Sequence, residues 1–197
     1  MTTNIVLGIL LGLGLSASTG LNTFLPLLLL SAAARFHIAG IELGSKFEWL
    51  TSDAAMITLV VACVIELVAD KIPAVDHFLD SAGTVVRPLA GALASASVLT
   101  GIDPIVASVV GLIVGAPTSL GLHTLKAGTR VASTATTFGC ANPVISLIED
   151  VISFCLSVIS IFLPVIVPLV LAVLVYGLYR LMMRVRRTST MPAGSTP

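Results

Sequence analysis

The sequence predicts an all-α, polytopic transmembrane helix bundle of about six or seven segments. Three observations carry this. Of the 197 residues, 56% are hydrophobic and only 10% are charged, whereas a soluble domain carries roughly 25% charged residues. The apolar residues are gathered into long runs: IVLGILLGLGL (5–15), LPLLLLSAAA (25–34), MITLVVACVI (56–65), IVASVVGLIVGA (105–116) and FLPVIVPLVLAVLVYGLY (162–179). A helix of about 20 apolar residues crosses a hydrocarbon core, and a chain of this length has too little polar surface to cover so many runs. The runs also lack the alternation of apolar and polar residues that a membrane β-barrel needs.

Taken in order, residues 4–35 form a nearly unbroken apolar stretch. At about 1.5 Å per residue it is much longer than a hydrocarbon core of about 30 Å. Its middle reads SASTGLNT (16–23), with Pro26 just after. This predicts a break, giving either two short membrane segments or one discontinuous helix. Residues 36–52 are the most water-friendly internal stretch, and Phe47 and Trp49 suit a membrane interface. A helix over 53–71 starts at Ser52 or Asp53 and ends at Asp70-Lys71. The segment 72–86 reads as a polar connector, and Arg87-Pro88 as the start of a short helix to residue 100. Asp103-Pro104 is a cap followed by a first-turn proline, opening a helix to about 126. In that helix Ala107, Gly111 and Gly115 form a ridge of small residues suited to close helix contact. A second polar connector covers 127–142. Asn142-Pro143 repeats the cap-and-proline start, Pro164 interrupts, and 165–184 is the last span.

Residues 1–184 thus read as one integral membrane domain and 185–197 as a flexible cytoplasmic tail. Arg180, Arg184, Arg186 and Arg187 place the C-terminus in the cytoplasm by the positive-inside rule. Counting back puts both connectors on the same side, flanked by Lys71, Arg87, Lys126 and Arg130, in agreement with the rule. Shifting the chain by 55 residues lays Lys71 on Lys126 and Arg87-Pro88 on Asn142-Pro143. This is a weak parallel repeat of 53–101 and 104–163.

Ten basic and ten acidic residues give a net charge of zero, without the basic patch that nucleic-acid binding requires. Cys63, Cys140 and Cys155 are scattered and form no CxxC pair, so they read as small apolar fillers. The start, MTTN, lacks the basic region of a cleavable signal. No HExxH, GxSxG, Walker loop or dinucleotide-binding fingerprint is present.

The chemistry-bearing residues fall in three groups. Glu66 and Asp70 are four apart and share a helix face; Asp76 and Asp80 repeat the spacing, with Lys71, His77 and Arg87 nearby. Ser119, His123, Lys126 and Arg130 make a second face. Ser146, Glu149, Asp150, Ser153, Ser157 and Ser160 make a polar stripe on an apolar helix, which must face the bundle interior or a water-filled path. These groups hold six acids (Glu66, Asp70, Asp76, Asp80, Glu149, Asp150) against four bases (Lys71, Arg87, Lys126, Arg130), a balance that suits a bound cation or protonated carboxylates. His77 and His123 fit hydrogen bonding better than metal ligation. For Arg180, Arg184, Arg186 and Arg187 the plain reading is snorkelling to headgroups. For Lys71 and Arg130 it competes evenly with a site role, and an ion-pair network that only holds helices together stays open for the rest.

The stretches ELVADKIPAVDHFLDSAGTVVRPLAGAL (66–93), GLHTLKAGTRVASTATTFGCANPVISLIED (121–150) and GLNTFLPLLLL (20–30) resemble an uncharacterised family of small bacterial membrane proteins, domain of unknown function 4126. The resemblance implies a bacterial cytoplasmic (inner) membrane location and the motif positions Glu66, Asp70, Lys71, Pro73, Asp76, Asp80, Arg87, Pro88, His123, Lys126, Arg130, Asn142, Pro143, Glu149 and Asp150. It implies no activity. The expected function is a small transporter or channel with a charged intramembrane site for a cation or small polar solute, with partners limited to the bilayer, that solute and further copies of the chain. No cofactor is expected, and a bound cation stays open. A membrane enzyme acting on a lipid or isoprenoid phosphate with Mg²⁺, and a non-catalytic scaffold, are the other two readings.

Overall fold

The computed structural model describes residues 5–137 and 140–189. The described residues form eight α-helices and no strand: α1 (Ile5–Leu21), α2 (Phe24–Arg35), α3 (Asp53–Ala69), α4 (Pro73–Ser97), α5 (Pro104–Val110), α6 (Ala116–Thr137), α7 (Asn142–Phe162) and α8 (Val167–Ser189). A π turn, Gly111–Gly115, joins α5 to α6. It falls just before Pro117, whose ring would otherwise meet the carbonyl of Ile113; the wider turn relieves that clash. Among the described residues, two helices are long and apolar enough to cross a membrane, Pro104–Val131 and Asn142–Phe162. A third is added if Ser45–Thr51 and Asp53–Ala69, bent by 63°, make one span.

Many polar residues lie inside and many large apolar ones outside. Ser16, Ser18, Thr19, Asn22, Arg87 and Lys126 are buried, while Ile105 is 75%, Val131 71% and Ile57 64% exposed. In water this arrangement would leave a large apolar surface unprotected; against lipid it is the stable one. α1 lies at the centre, and its residues from Gly14 to Leu21 are buried on every side. Small residues make this dense packing feasible. A Cβ on Gly12 would meet Ser95 of α4, one on Gly14 would meet Ser160 of α7, and one on Gly20 would meet Ser119 of α6. Side-chain bonds stitch the contacts: Ser16 Oγ donates to Gly91 O at 2.7 Å and Ser153 Oγ to Ser18 O at 3.0 Å.

The N-terminal stretch is broken, as its polar knot predicts, and the break falls at Asn22-Thr23. Gly8, early in α1, packs on Val98 and Leu99. The loop that follows α2 reaches the same level, where Gly44 N donates to Ser97 O at 2.8 Å. Leu11 and Leu15 share one apolar core with Leu27 and Leu30. α1 and α2 therefore fold back as a pair whose outer ends meet at one end of the bundle, with the break at the other.

Several expected boundaries are corrected. The segment 72–86 is not a connector: α4 starts at Pro73 in the first turn and runs through Pro88 to Ser97. Pro88 cannot donate to the carbonyl of Thr84; beside it α4 is tied to its neighbours, with Ser119 Oγ donating to Arg87 O at 2.8 Å and Ser16 Oγ to Gly91 O. Nor is 127–142 a connector over most of its length, since α6 continues to Thr137. The described charges of the two stretches, Asp80 and Arg130, turn inward onto each other. Asn142 does not cap α7; its Nδ2 donates to Thr134 Oγ1 at 3.1 Å instead. α8 extends to Ser189, into the expected tail. By contrast Asp103 caps α5 through Ile105 N and Val106 N, and Ser52 caps α3 through Ala55 N, as their sequences suggest.

The ridge Ala107/Gly111/Gly115 packs within the chain. A Cβ on Gly115 would run into Gly91 O, and one on Gly111 into Ala92 O and Ala96. Gly115→Val is expected to cost about 1–3 kcal/mol through overpacking, read as a fall in thermal midpoint in detergent. Gly121→Ala, with nothing within 4 Å of the new Cβ, is expected to be neutral or stabilising by up to about 1 kcal/mol.

Candidate functional site

The break strands backbone groups that an unbroken helix would pair with one another. The N–H groups of Thr23, Phe24 and Leu25 lose the carbonyls of Thr19, Gly20 and Leu21. The carboxylate of Glu66 on α3 takes the place of two of them: Thr23 N donates to Oε1 and Oε2, both at 3.0 Å, and Phe24 N donates to Oε2 at 3.1 Å. Thr23 Oγ1 adds a bond of 2.8 Å to Oε1. Leu25 N donates to Asn22 Oδ1 at 3.0 Å. On the other side of the break, Arg87 Nη1 of α4 donates to Gly20 O at 2.9 Å and to Leu21 O at 3.1 Å. Lys126 Nζ of α6 donates to Leu21 O at 2.8 Å. An anion thus sits at the N-terminus of α2 and two cations at the C-terminus of α1, the signs that complement the two helix dipoles. Arg87 Nη2 closes the arrangement at 3.5 Å from Glu66 Oε1.

A second layer continues from Lys126. Its Nζ lies 3.4 Å from Asp70 Oδ2 and 3.2 Å from Glu149 Oε2. Arg130 Nη2 reaches the same two carboxylates, at 3.5 Å and 2.9 Å, and its Nη1 lies 3.5 Å from Asp80 Oδ2. Lys71 pairs with Asp150 at 3.4 Å, and Asp150 accepts from Asn22 Nδ2 at 3.0 Å. The second layer is thereby tied back to the break on two sides. Buried charges persist only when paired in this way. Some polar atoms have no partner even so: Asp70 Oδ1, Asp80 Oδ1, Arg87 Nε and His123 Nδ1 are buried without a hydrogen bond.

The structure brings together Glu66, Asp70, Lys71, Asp80, Arg87, Lys126, Arg130, Glu149 and Asp150 from the sequence-predicted set. His123 stands beside them, with its Nε2 3.4 Å from Thr84 Oγ1. Asn142 bonds to Thr134 and not to a charged group. The side chains of Asp76 and His77 lie outside the described residues. The serine stripe of α7 faces inward: Ser146, Ser153, Ser157 and Ser160 are all fully buried. Among the described residues, no three or more His, Cys, Asp or Glu side chains are grouped to hold a metal ion. Asn22 and Thr23 are the site residues that sequence reasoning marked only as a break. Their signal was an amide and a hydroxyl inside an apolar run just ahead of Pro26.

Because Arg87 holds both a stranded helix end and a buried carboxylate, Arg87→Ala is expected to cost about 3–5 kcal/mol, the typical penalty for leaving one half of a buried pair. Lys71→Ala removes a half-exposed pair, with the lysine side chain 40% exposed, and is expected to cost less than about 1 kcal/mol. Unfolding midpoints of the two variants in one detergent check the difference; equal losses would count against the capping role.

None of the curated proteins and none of the solved structures matches the chain. A family model matches residues 9–184, and with them the break and every charged residue of both layers. The chain belongs to the family described as Domain of unknown function (DUF4126).

Proposed function

We propose that the protein is a small integral membrane transporter or channel, whose site for a cation or small polar solute is the broken helix pair and the charges around it. The observation that carries this reading is the break itself. Helix ends facing each other inside a bundle, with opposite dipole signs and charged side chains on both, are the way transporters build polar sites at membrane depth. Intramembrane ionisable residues are functional by default, because their burial is expensive. In this reading α1, α2, α3, α4, α5–α6, α7 and α8 are the seven segments of a bacterial cytoplasmic membrane bundle. The break and the C-terminus share the cytoplasmic side, and several copies assemble to complete the pathway.

One observation favours the scaffold reading. Cavities of about 380–390 Å³ open at the other end of the bundle, around Glu42–Glu48 and Leu99–Pro104 and around Arg35, His37 and Thr51. A scaffold would keep the ion pairs purely as internal struts.

Flux separates the two. Glu66→Gln and Glu149→Gln, each reconstituted in vesicles loaded with alkali cations, are expected to lower flux about tenfold or more, the equivalent of one charge-assisted hydrogen bond. Folded variants with wild-type flux would leave the scaffold reading standing.

A further inference from the structure

The charges around the break are paired, whereas those at the opposite end of the bundle are not. Glu42, Lys46 and Glu48 line one cavity of about 380 Å³, set between their own segment and the turn Leu99–Pro104. Among the described residues, none of these three side chains makes an ion pair or a hydrogen bond. Lys46 and Pro104 also line a second cavity of about 380 Å³, so the two adjoin. The second cavity is an apolar groove. Its walls include Ile105, Val109 and Leu112, which are spaced four and three apart and so stand in a row on one helix face. All three are exposed. Ser108 lies in the same row, but its hydroxyl donates to Pro104 O at 2.8 Å, so it brings no unmet donor into the groove. From Pro104 to Leu112 the row runs about 12 Å, into a helix long and apolar enough to cross a membrane.

Lys46 belongs to the turn Ser45–Thr51, beside Phe47 and Trp49, and aromatic rings of this kind sit at the headgroup level of a bilayer. A molecule that fills both cavities therefore needs a charged head at Lys46 and an apolar tail along α5. The charges decide the head. One ammonium faces two carboxylates, so a head with negative charge alone meets more repulsion than attraction. Arg35 does not redress this, although it shares a further cavity with Glu42 and Glu48: it is already paired with Asp53 and donates to Thr51 O. A phosphate fits Lys46 if the same head carries a cation for the glutamates. A primary ammonium has three hydrogens to donate to their carboxylates, and a quaternary one has none.

We propose that this end of the protein binds a phospholipid with a primary amine in its headgroup. The phosphate pairs with Lys46, the ammonium with Glu42 and Glu48, and one acyl chain lies in the groove along Ile105, Val109 and Leu112. The bound lipid ties the turn Ser45–Thr51 to α5. This site needs a bundle that stands in a bilayer and is independent of whether the break conducts.

Native mass spectrometry of the full chain, stripped of lipid in detergent, tests this with lipids of matched acyl chains. Phosphatidylethanolamine is expected to bind about tenfold more tightly than phosphatidylcholine or phosphatidylglycerol, the equivalent of one charge-assisted hydrogen bond. Lys46→Ala should weaken that binding by a similar factor. Glu42→Gln combined with Glu48→Gln should abolish the preference over phosphatidylcholine, and Val109→Trp should block the groove. All four positions are exposed, where substitutions leave the fold largely undisturbed. Val64→Trp, at an exposed position on α3, should change nothing. Equal binding of the three lipids, or wild-type binding by Lys46→Ala or by Val109→Trp, overturns the proposal. So does free phosphoethanolamine binding as tightly as the lipid, which would make the polar cavity a solute site.

Discussion

A helix that ends inside an apolar bundle leaves amide hydrogens and carbonyl oxygens with no water to turn to. Everything at the charged end of this molecule answers that constraint. Glu66 takes the amides of Thr23 and Phe24, and Arg87 and Lys126 take the carbonyls of Gly20 and Leu21. The other ion pairs follow because a buried cation needs its own counterion. Lys126 requires Asp70 and Glu149, and these in turn hold Arg130 and, through it, Asp80. The network grows outward from two interrupted backbone turns until it reaches a side chain with access to water.

The same constraint explains the packing. Four helices must bring charged side chains to one spot around α1, so α1 itself must be thin. Glycine, alanine and serine supply that thinness, and their hydroxyls bond back to carbonyls instead of seeking water. Many large apolar residues face outward, as Ile105, Ile113 and Leu169 do. The distribution that looks inverted by the standards of a soluble protein follows from a polar seam at the core.

Much of this was legible in the sequence. Long apolar runs gave the class, SASTGLNT gave the break, and the three- and four-residue spacings of Glu66/Asp70 and His123/Lys126/Arg130 gave two of the charged faces. What was illegible came from reading polarity as exposure. DHFLDSAGTVVR and AGTRVASTATT look like connectors because they are polar, but both are helical, and Asp80, Arg87 and Arg130 within them turn inward onto partner charges. Lys71 and Lys126, equivalent under the 55-residue shift, differ in the same way: Lys71 is half-exposed beside Asp150, while Lys126 is sealed between two carboxylates and a carbonyl. The role of Glu66 as a cap for a helix 43 residues away in sequence depends on a contact that no local pattern records.

The separation between the break and its caps also bears on how the chain is made. The stranded groups belong to residues 20–25, but the side chains that satisfy them are at positions 66, 87 and 126. During synthesis the N-terminal helix pair is complete long before the last of its partners leaves the ribosome. Until then its turn has Asn22 and, as each is made, Glu66 and Arg87. Its set of caps is complete only after α6 has arrived, so the turn is held by a contact with a residue 105 positions further along the chain.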